Sequence, residues 1–337
     1  MGMELYCHRG WMLVIKNRSM ENNLINMKGA SKAFIALIDA VSRGIGTLYE
    51  PTHIKRVAKA DAEAMLIHAE AEKKKNEILA VAERLTSNTV SHEELNAIVS
   101  RIVGKEIRRQ ENIDAIFQLA LEDLNEGKTI SSAKVDSDWL TRFFNIVQDV
   151  SDDELRRAWG KILSQEIQTP GSYSLRTLTT ISNLSKKEAE LFTKIGNYIF
   201  DSNSSCFLVR SHTDILGEKV SYEDISLLME CGLIKETHEL NISYPSDESL
   251  SKEYAFVYQN LAVIIEIEKG THDVNIPIYE LTTAGSEIYE ILTVEKDMSY
   301  LQLVANAIKR THFRIGYARF NKFMVDAIDH DDNITYL

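Results

Sequence analysis

Six cations stand between Lys296 and Phe323 against one carboxylate, Asp297. Five of them, Lys309, Arg310, Arg314, Arg319 and Lys322, cluster with His312, Phe313, Tyr317 and Phe320 interleaved. Cations neutralise phosphates while aromatic faces stack on bases, so this combination could grip single-stranded nucleic acid or a nucleotide. The competing reading is that this terminal piece docks on an acidic neighbour and balances its charge. Complementary surfaces commonly fix docking, and that reading is preferred. The stretch just before it is such a neighbour, with 8 Lys or Arg against 19 Asp or Glu from Ser185 to Glu290. A smaller basic cluster, His53, Lys55, Arg56 and Lys59, reads as a solvated helix face.

The remaining chemistry-bearing residues point away from catalysis. Gly104-Lys105 lacks the frame of a phosphate-binding loop, and packing accounts for the glycine. His92-Glu93 opens like a zinc-protease motif, but residue 96 is Asn, and no two histidines fall three or four apart. There is no GxSxG, and Cys7, Cys206 and Cys231 have neither CxxC spacing nor an adjacent base. Asp149, Asp152, Asp153 and Glu154 are explained as favourable charge at a helix N-terminus. Asp326, Asp329, Asp331 and Asp332 belong to a solvated chain end. The expectation is therefore a non-enzyme with no catalytic, cofactor-binding or metal-ligating residue.

Composition narrows the classes. The chain has 337 residues, enough for two or three cores, and only 15 Gly and 4 Pro, which favours long helices. Net charge is -12 with a sequence pI near 5.3, so the whole molecule repels nucleic acid and anionic membrane. Runs free of charge and His reach no more than 11 residues, as at Ala255–Ile265, far short of the roughly 20 that cross a bilayer. Sparse cysteine and the lack of a full secretory signal place the chain in a reducing cytoplasm.

Periodicity supplies the elements. Residues 1–28 are expected to form a leader. Residues 1–19 match nothing that follows, so Met20 is read as the true start, with a short strand at Trp11–Lys16 as the alternative. Region 29–128 reads as a long helical hairpin. Phe34, Ile35, Leu37, Ile38, Val41, Ile45 and Leu48 mark its first helix, which fits a surface or interface role. Pro51 stops that helix, Thr52 caps a second, and Ser91-His-Glu-Glu94 is a capping box for a third. Gly127 closes the third helix, and Lys128–Lys134 is a linker.

Region 135–184 reads as a central helical bundle. Trp139, Leu140, Phe143, Phe144 and Val147 lie on one stripe, and Ser151-Asp-Asp-Glu154 is a second box. Trp159, Ile162, Leu163 and Ile167 form the next stripe, before a Pro170-Gly171 break. Ser185-Lys-Lys-Glu188 opens region 185–295, where the period changes to short strands. Helix Ser221–Cys231, Gly232-Leu-Ile, the β-prone run Tyr254–Glu268 and Leu281-Thr-Thr-Ala-Gly285 together suggest a winged-helix-like module with an enlarged wing. Residues 296–337 read as the basic helix and strand with an acidic tail. The fold class expected is mainly α with a smaller α+β part.

Two blocks, Gly44–Ala71 and Asp138–Phe192, with YELTTAG late in the chain, resemble an uncharacterised bacterial domain-of-unknown-function family. That family is similar in style to the abortive-infection alpha proteins of phage defence. The resemblance implies a helical bacterial cytoplasmic protein and carries over no catalytic residue.

These readings give a lead function: a non-enzymatic, oligomeric protein of bacterial defence or regulation that meets a protein partner and copies of itself, the long hairpin providing coiled-coil-like self-association. The module's groove helix carries Glu223, Asp224 and Glu230 with no Lys or Arg, which disfavours DNA. One alternative is a nucleic-acid binder using Lys309, Arg310, Arg314, Arg319 and Lys322. The other, also disfavoured, is a membrane-surface effector that inserts the helix at 33–48.

Overall fold

The computed structural model describes residues 32–46, 73, 75–77, 79–80, 91–124, 130–210, 219–237, 240–309, 313–325 and 327–337. The leader, the Pro51 break with the Thr52 cap, the His53–Lys59 cluster, Gly127, Arg310, His312 and Asp326 lie outside the described residues, as does most of the second helix. The chain divides into two compact units, Met1–Ser172 and Tyr173–Leu337.

The described part of the first unit is helical: α1 (Lys32–Ile45), α2 (His92–Leu124), α3 (Ser137–Val147) and α4 (Asp153–Gln168). Helical residues also occur at 73, 75–77 and 79–80, where Leu79 packs on Leu95 and Val99 of α2. The α2 start is the box the sequence announces: Ser91 N–H donates to Glu94 Oε2 at 3.0 Å, and Glu94 N–H donates back to Ser91 Oγ at 3.3 Å. The second box is not made. Asp152, one residue after Ser151, is the N-cap of α4 and accepts from the backbone N–H groups of Glu154 and Leu155.

Apolar stripes decide the packing. Leu37, Ile38 and Val41 of α1 are buried, and α1 runs so close to α3 that a Cβ on Gly44 would stand 2.2 Å from the Phe144 ring. Trp139 stacks on Phe143 at 5.0 Å, and Phe143 meets Trp159 edge-on at 5.5 Å. A buried polar clamp fixes the joint between α3 and α4 against α2. Asn112 Nδ2 donates to Gln148 O at 2.7 Å, while Arg156 Nη2 donates to Asn112 Oδ1 at 2.6 Å. Among the described residues no helix is long and apolar enough to cross a membrane.

The second unit overturns the expected fold class. Its helices are α5 (Leu175–Asn183), α6 (Lys186–Gly196), α7 (Tyr222–Glu230), α8 (Thr283–Tyr289) and α9 (Met298–Ile308). They accompany an antiparallel sheet of nine strands: β1 (Phe200–Asp201), β2 (Cys206–Val209), β3 (Leu240–Tyr244), β4 (Lys252–Tyr258), β5 (Leu261–Ile267), β6 (Val274–Glu280), β7 (Phe313–Phe323), β8 (Ile328–His330) and β9 (Thr335–Tyr336). The strand order is β3-β6-β2-β1-β4-β5-β7-β8, with β9 also on β7. This C-terminal half is a broad sheet with short helices, so neither the mainly helical class nor the winged-helix module stands.

Two features account for the correction. The β-prone run Tyr254–Glu268 is a hairpin, β4 and β5, turning at Gln259-Asn260, and Gln259 adopts φ 58°. Tight hairpin turns of this kind normally announce themselves with Gly or Asn at the left-handed position, and a glutamine hides it. The residues expected as a separate basic piece then pair along the whole of β5, from Leu261 with Arg319 to Ile267 with Phe313. Being flanked on both sides, β5 is buried on both faces except at Glu266, as its unbroken apolar sequence requires.

Paired residues share a face of the sheet. Phe256, Tyr258 and Phe200 lie with Tyr300 of α9, and the Phe200 ring is 5.0 Å from Tyr258 and 5.9 Å from Tyr300. A second cluster, Ala262, Ile264 and Ala318, is covered by Phe320, Ile328 and Ile334. The acidic tail, expected to be solvated disorder, thus folds back as β8 and β9. Gly316 admits it: a Cβ there would meet Ile334 Cγ2 at 2.5 Å and Thr335 O at 3.0 Å.

Candidate functional site

The C-terminal cations do not form one patch. Arg314 and Arg319 are an odd number of residues apart on β7, so the two-residue pleat sends them to opposite faces. Arg314 is consumed: its Nη2 bonds Glu266 Oε2 at 2.5 Å, and its guanidinium lies 4.8 Å from the centre of the Tyr336 ring. The Tyr336 hydroxyl donates to the other Glu266 oxygen, and that hydrogen bond raises its pKa. Lys309 Nζ donates to Leu337 O at 3.0 Å. Arg319 and Lys322 are exposed, with no side-chain partner among the described residues. Arg310 and His312 are not described. β7 thus joins its acidic neighbour through Glu266 as well as through the ladder.

The acidic groups have structural uses. Asp149 is held below the usual carboxylate range by its bond to Arg109, which reaches both carboxylate oxygens at 2.9 and 3.0 Å. Asp153 pairs with Arg156, and Glu154 sits in the first turn of α4. Asp329 lies in β8 opposite Lys322. Among the described residues, no group of three or more His, Cys, Asp or Glu is arranged to hold a metal ion. Burial pushes the Cys206 thiol up to about 12 and the Cys231 thiol to about 11, so both are poor thiolate nucleophiles at neutral pH.

On α2 the apolar stripe splits. Leu95 and Val99 are buried against Leu79, whereas Ile98 and Ile102, one turn apart, are 39% and 48% exposed. The apolar face of α1, in contrast, is buried within the first unit at Leu37, Ile38 and Val41. It offers no free insertion surface there.

Sequence reasoning missed an open cleft of about 510 Å³ in the second unit, lined by Gln259, Asn260, Tyr289, Glu290, Leu292, Val294 and Lys296. The β4–β5 turn forms one wall, and the chain after α8 forms the other. That second wall is pinned. Glu295 N–H donates to Asn197 Oδ1 at 2.6 Å, Asp297 N–H to the Tyr258 hydroxyl at 3.1 Å, and that hydroxyl to Asn197 O at 2.8 Å. Gly196 lets Leu292 and Val294 close in, since a Cβ there would lie 2.9 and 3.1 Å from them.

Lys296 Nζ reaches Asn260 Oδ1 at 3.3 Å, and among the described residues it makes no ion pair. Glu290 is raised above the ordinary carboxylate range by desolvation, then by Glu287 and Asp201 nearby. The Gln259 Nε2 is buried without a hydrogen-bond partner. No short sequence signal marks this site, because Gln259 and Glu290 are far apart in sequence and line one cleft only in the folded unit.

The family described as Protein of unknown function (DUF2806) matches residues 96–305, and the chain belongs to that family. Neither a curated protein nor a solved structure matches.

Proposed function

We propose that this member of the DUF2806 family is a non-enzymatic, self-associating protein of bacterial defence or regulation that works through protein–protein contacts in the cytoplasm. The observation that carries the reading is the pair Ile98 and Ile102, two large apolar side chains left open on one face of α2. Scattered exposed hydrophobics need no explanation, but two on adjacent turns of a long helix form a seam. A second copy could cover it about a twofold axis, each helix presenting the same pair. With less than half of each side chain left to bury, each isoleucine contributes about 1 kcal/mol, so association is weak and concentration-dependent. The defence role draws on the similarity in style between Gly44–Ala71, Asp138–Phe192 and YELTTAG and the abortive-infection proteins.

Mass in solution tests the proposal. Light scattering behind size exclusion should show a dimer or larger species at micromolar concentration, reverting to monomer in Ile98→Asp/Ile102→Asp. A strict monomer in the parent protein removes the reading. The cation placement argues against nucleic acid as the partner: Arg314 is committed to Glu266, and Arg319 faces the other side of the sheet.

A further inference from the structure

The cleft between the β4–β5 turn and the chain after α8 has the marks of a place prepared for something else. Lys296 and Glu290 line the same space with opposite charge. Among the described residues neither has an ion-pair partner, and the lysine's contact is Asn260 Oδ1 at 3.3 Å. Two unmet demands therefore face one cleft, an ammonium without an anion and a carboxylate without a cation. Leu292, Val294 and the Tyr289 ring supply an apolar wall beside them.

We infer that this cleft binds a free α-amino acid with an apolar side chain: its carboxylate at Lys296, its ammonium at Glu290, and its side chain against Leu292 and Val294. A simple anion leaves Glu290 unmet, and a simple amine leaves Lys296 unmet. A zwitterion satisfies both in one molecule. The pinning of Glu295 and Asp297 fixes the backbone on either side of Lys296 before the ligand arrives, which lowers the ordering cost of binding. The site is separate from the α2 seam and independent of self-association.

Isothermal titration of the full chain with L-leucine tests this, with 4-methylpentanoate and 3-methylbutylamine as the two half-molecules. Millimolar binding of leucine is expected, with each half-molecule weaker by about tenfold or more. Glu290→Gln and Lys296→Gln should each weaken leucine by about tenfold, and Ile98→Asp/Ile102→Asp should leave it unchanged. The inference fails if leucine gives no heat at about 10 mM, if a half-molecule binds as well as the zwitterion, or if both charge variants bind like the parent. Should a variant unfold, the half-molecule comparison on the parent protein still decides.

Discussion

Arg314 and Arg319 stand on one strand and look out from opposite faces of the sheet, one bound to Glu266 and the Tyr336 ring, the other open to solvent. Charge counted along a sequence window sums both faces, and a polyanion can touch only one. Their substitutions should differ in kind. Arg314→Ala should cost about 1 kcal/mol, because it removes an exposed ion pair and a cation–π contact that are each modest. Arg319→Ala should stay within about 0.5 kcal/mol of the parent. Urea unfolding of the two variants checks the contrast, and equal losses would show that the face assignment is wrong.

Gly316 decides whether the tail stays down. The tail crosses β7 where a methyl group would lie 2.5 Å from Ile334 and 3.0 Å from the Thr335 carbonyl oxygen. The carbonyl cannot turn aside without breaking the pairing of Thr335 with Tyr317. Gly316→Val should release residues 327–337 and cost about 1–3 kcal/mol, as overpacking does. Limited proteolysis should then cut the tail much faster than in the parent. An unchanged cleavage pattern would mean that the tail has room to shift.

The described helices of the first unit were largely legible in sequence, and the reasons are local. Ser91 with Glu94 and the Trp139–Val147 stripe act within one or two turns, so spacing alone reports them. Even there Ser151 was mistaken for the cap that Asp152 makes, since three consecutive capping residues compete for one position. The second unit depends on pairings distant in sequence. Nothing around Gln259 announces a turn, so two strands looked like one wing. Nothing in Lys309–Lys322 announces a partner at Leu261–Ile267, so a strand of the sheet looked like an appendage. The cleft stayed hidden for the same reason, its two walls lying far apart in sequence and joined by contacts such as Lys296 to Asn260 and Asp297 to Tyr258.

YELTTAG, first read as a helix start after a wing, is a rigid joint. Thr282 Oγ1 caps α8 by accepting from Gly285 N–H at 3.0 Å, and Thr282 N–H donates to Leu233 O at 3.0 Å. A Cβ on Gly285 would stand 2.1 Å from that same Leu233 oxygen. Gly285→Ala therefore collides with backbone already held by a hydrogen bond, and a loss of about 3 kcal/mol or more is expected. Thr282→Ala removes the cap and the hydroxyl's bond to Gly232 O at 2.6 Å, and should cost about 1–2 kcal/mol. Thermal unfolding of both variants tests the order, which a structural role for the glycine requires.

Acid should reveal two opposing sets of carboxylates. Asp297 is lowered to about 2 from 3.8, chiefly by its bond to Lys219 at 2.8 Å and then by Ser299. A depressed folded-state pKa gives stability that is complete above the unfolded value and is lost as pH falls through the folded one. That contribution therefore disappears between about pH 4 and pH 2. Glu290 and Asp201 move the other way, both raised first by desolvation. Being raised, they take up protons in the folded state before the unfolded state does, so mild acidification stabilises the fold before stronger acid undoes it. Asp297→Asn keeps a good helix cap but loses the lysine partner, and should flatten the lower limb of a stability–pH curve. Glu290→Gln should flatten the upper limb and leave the lower one as it was. Denaturant midpoints measured from about pH 6 to pH 2 separate the two. A parent curve that only falls on acidification would contradict the raised carboxyls beside the cleft.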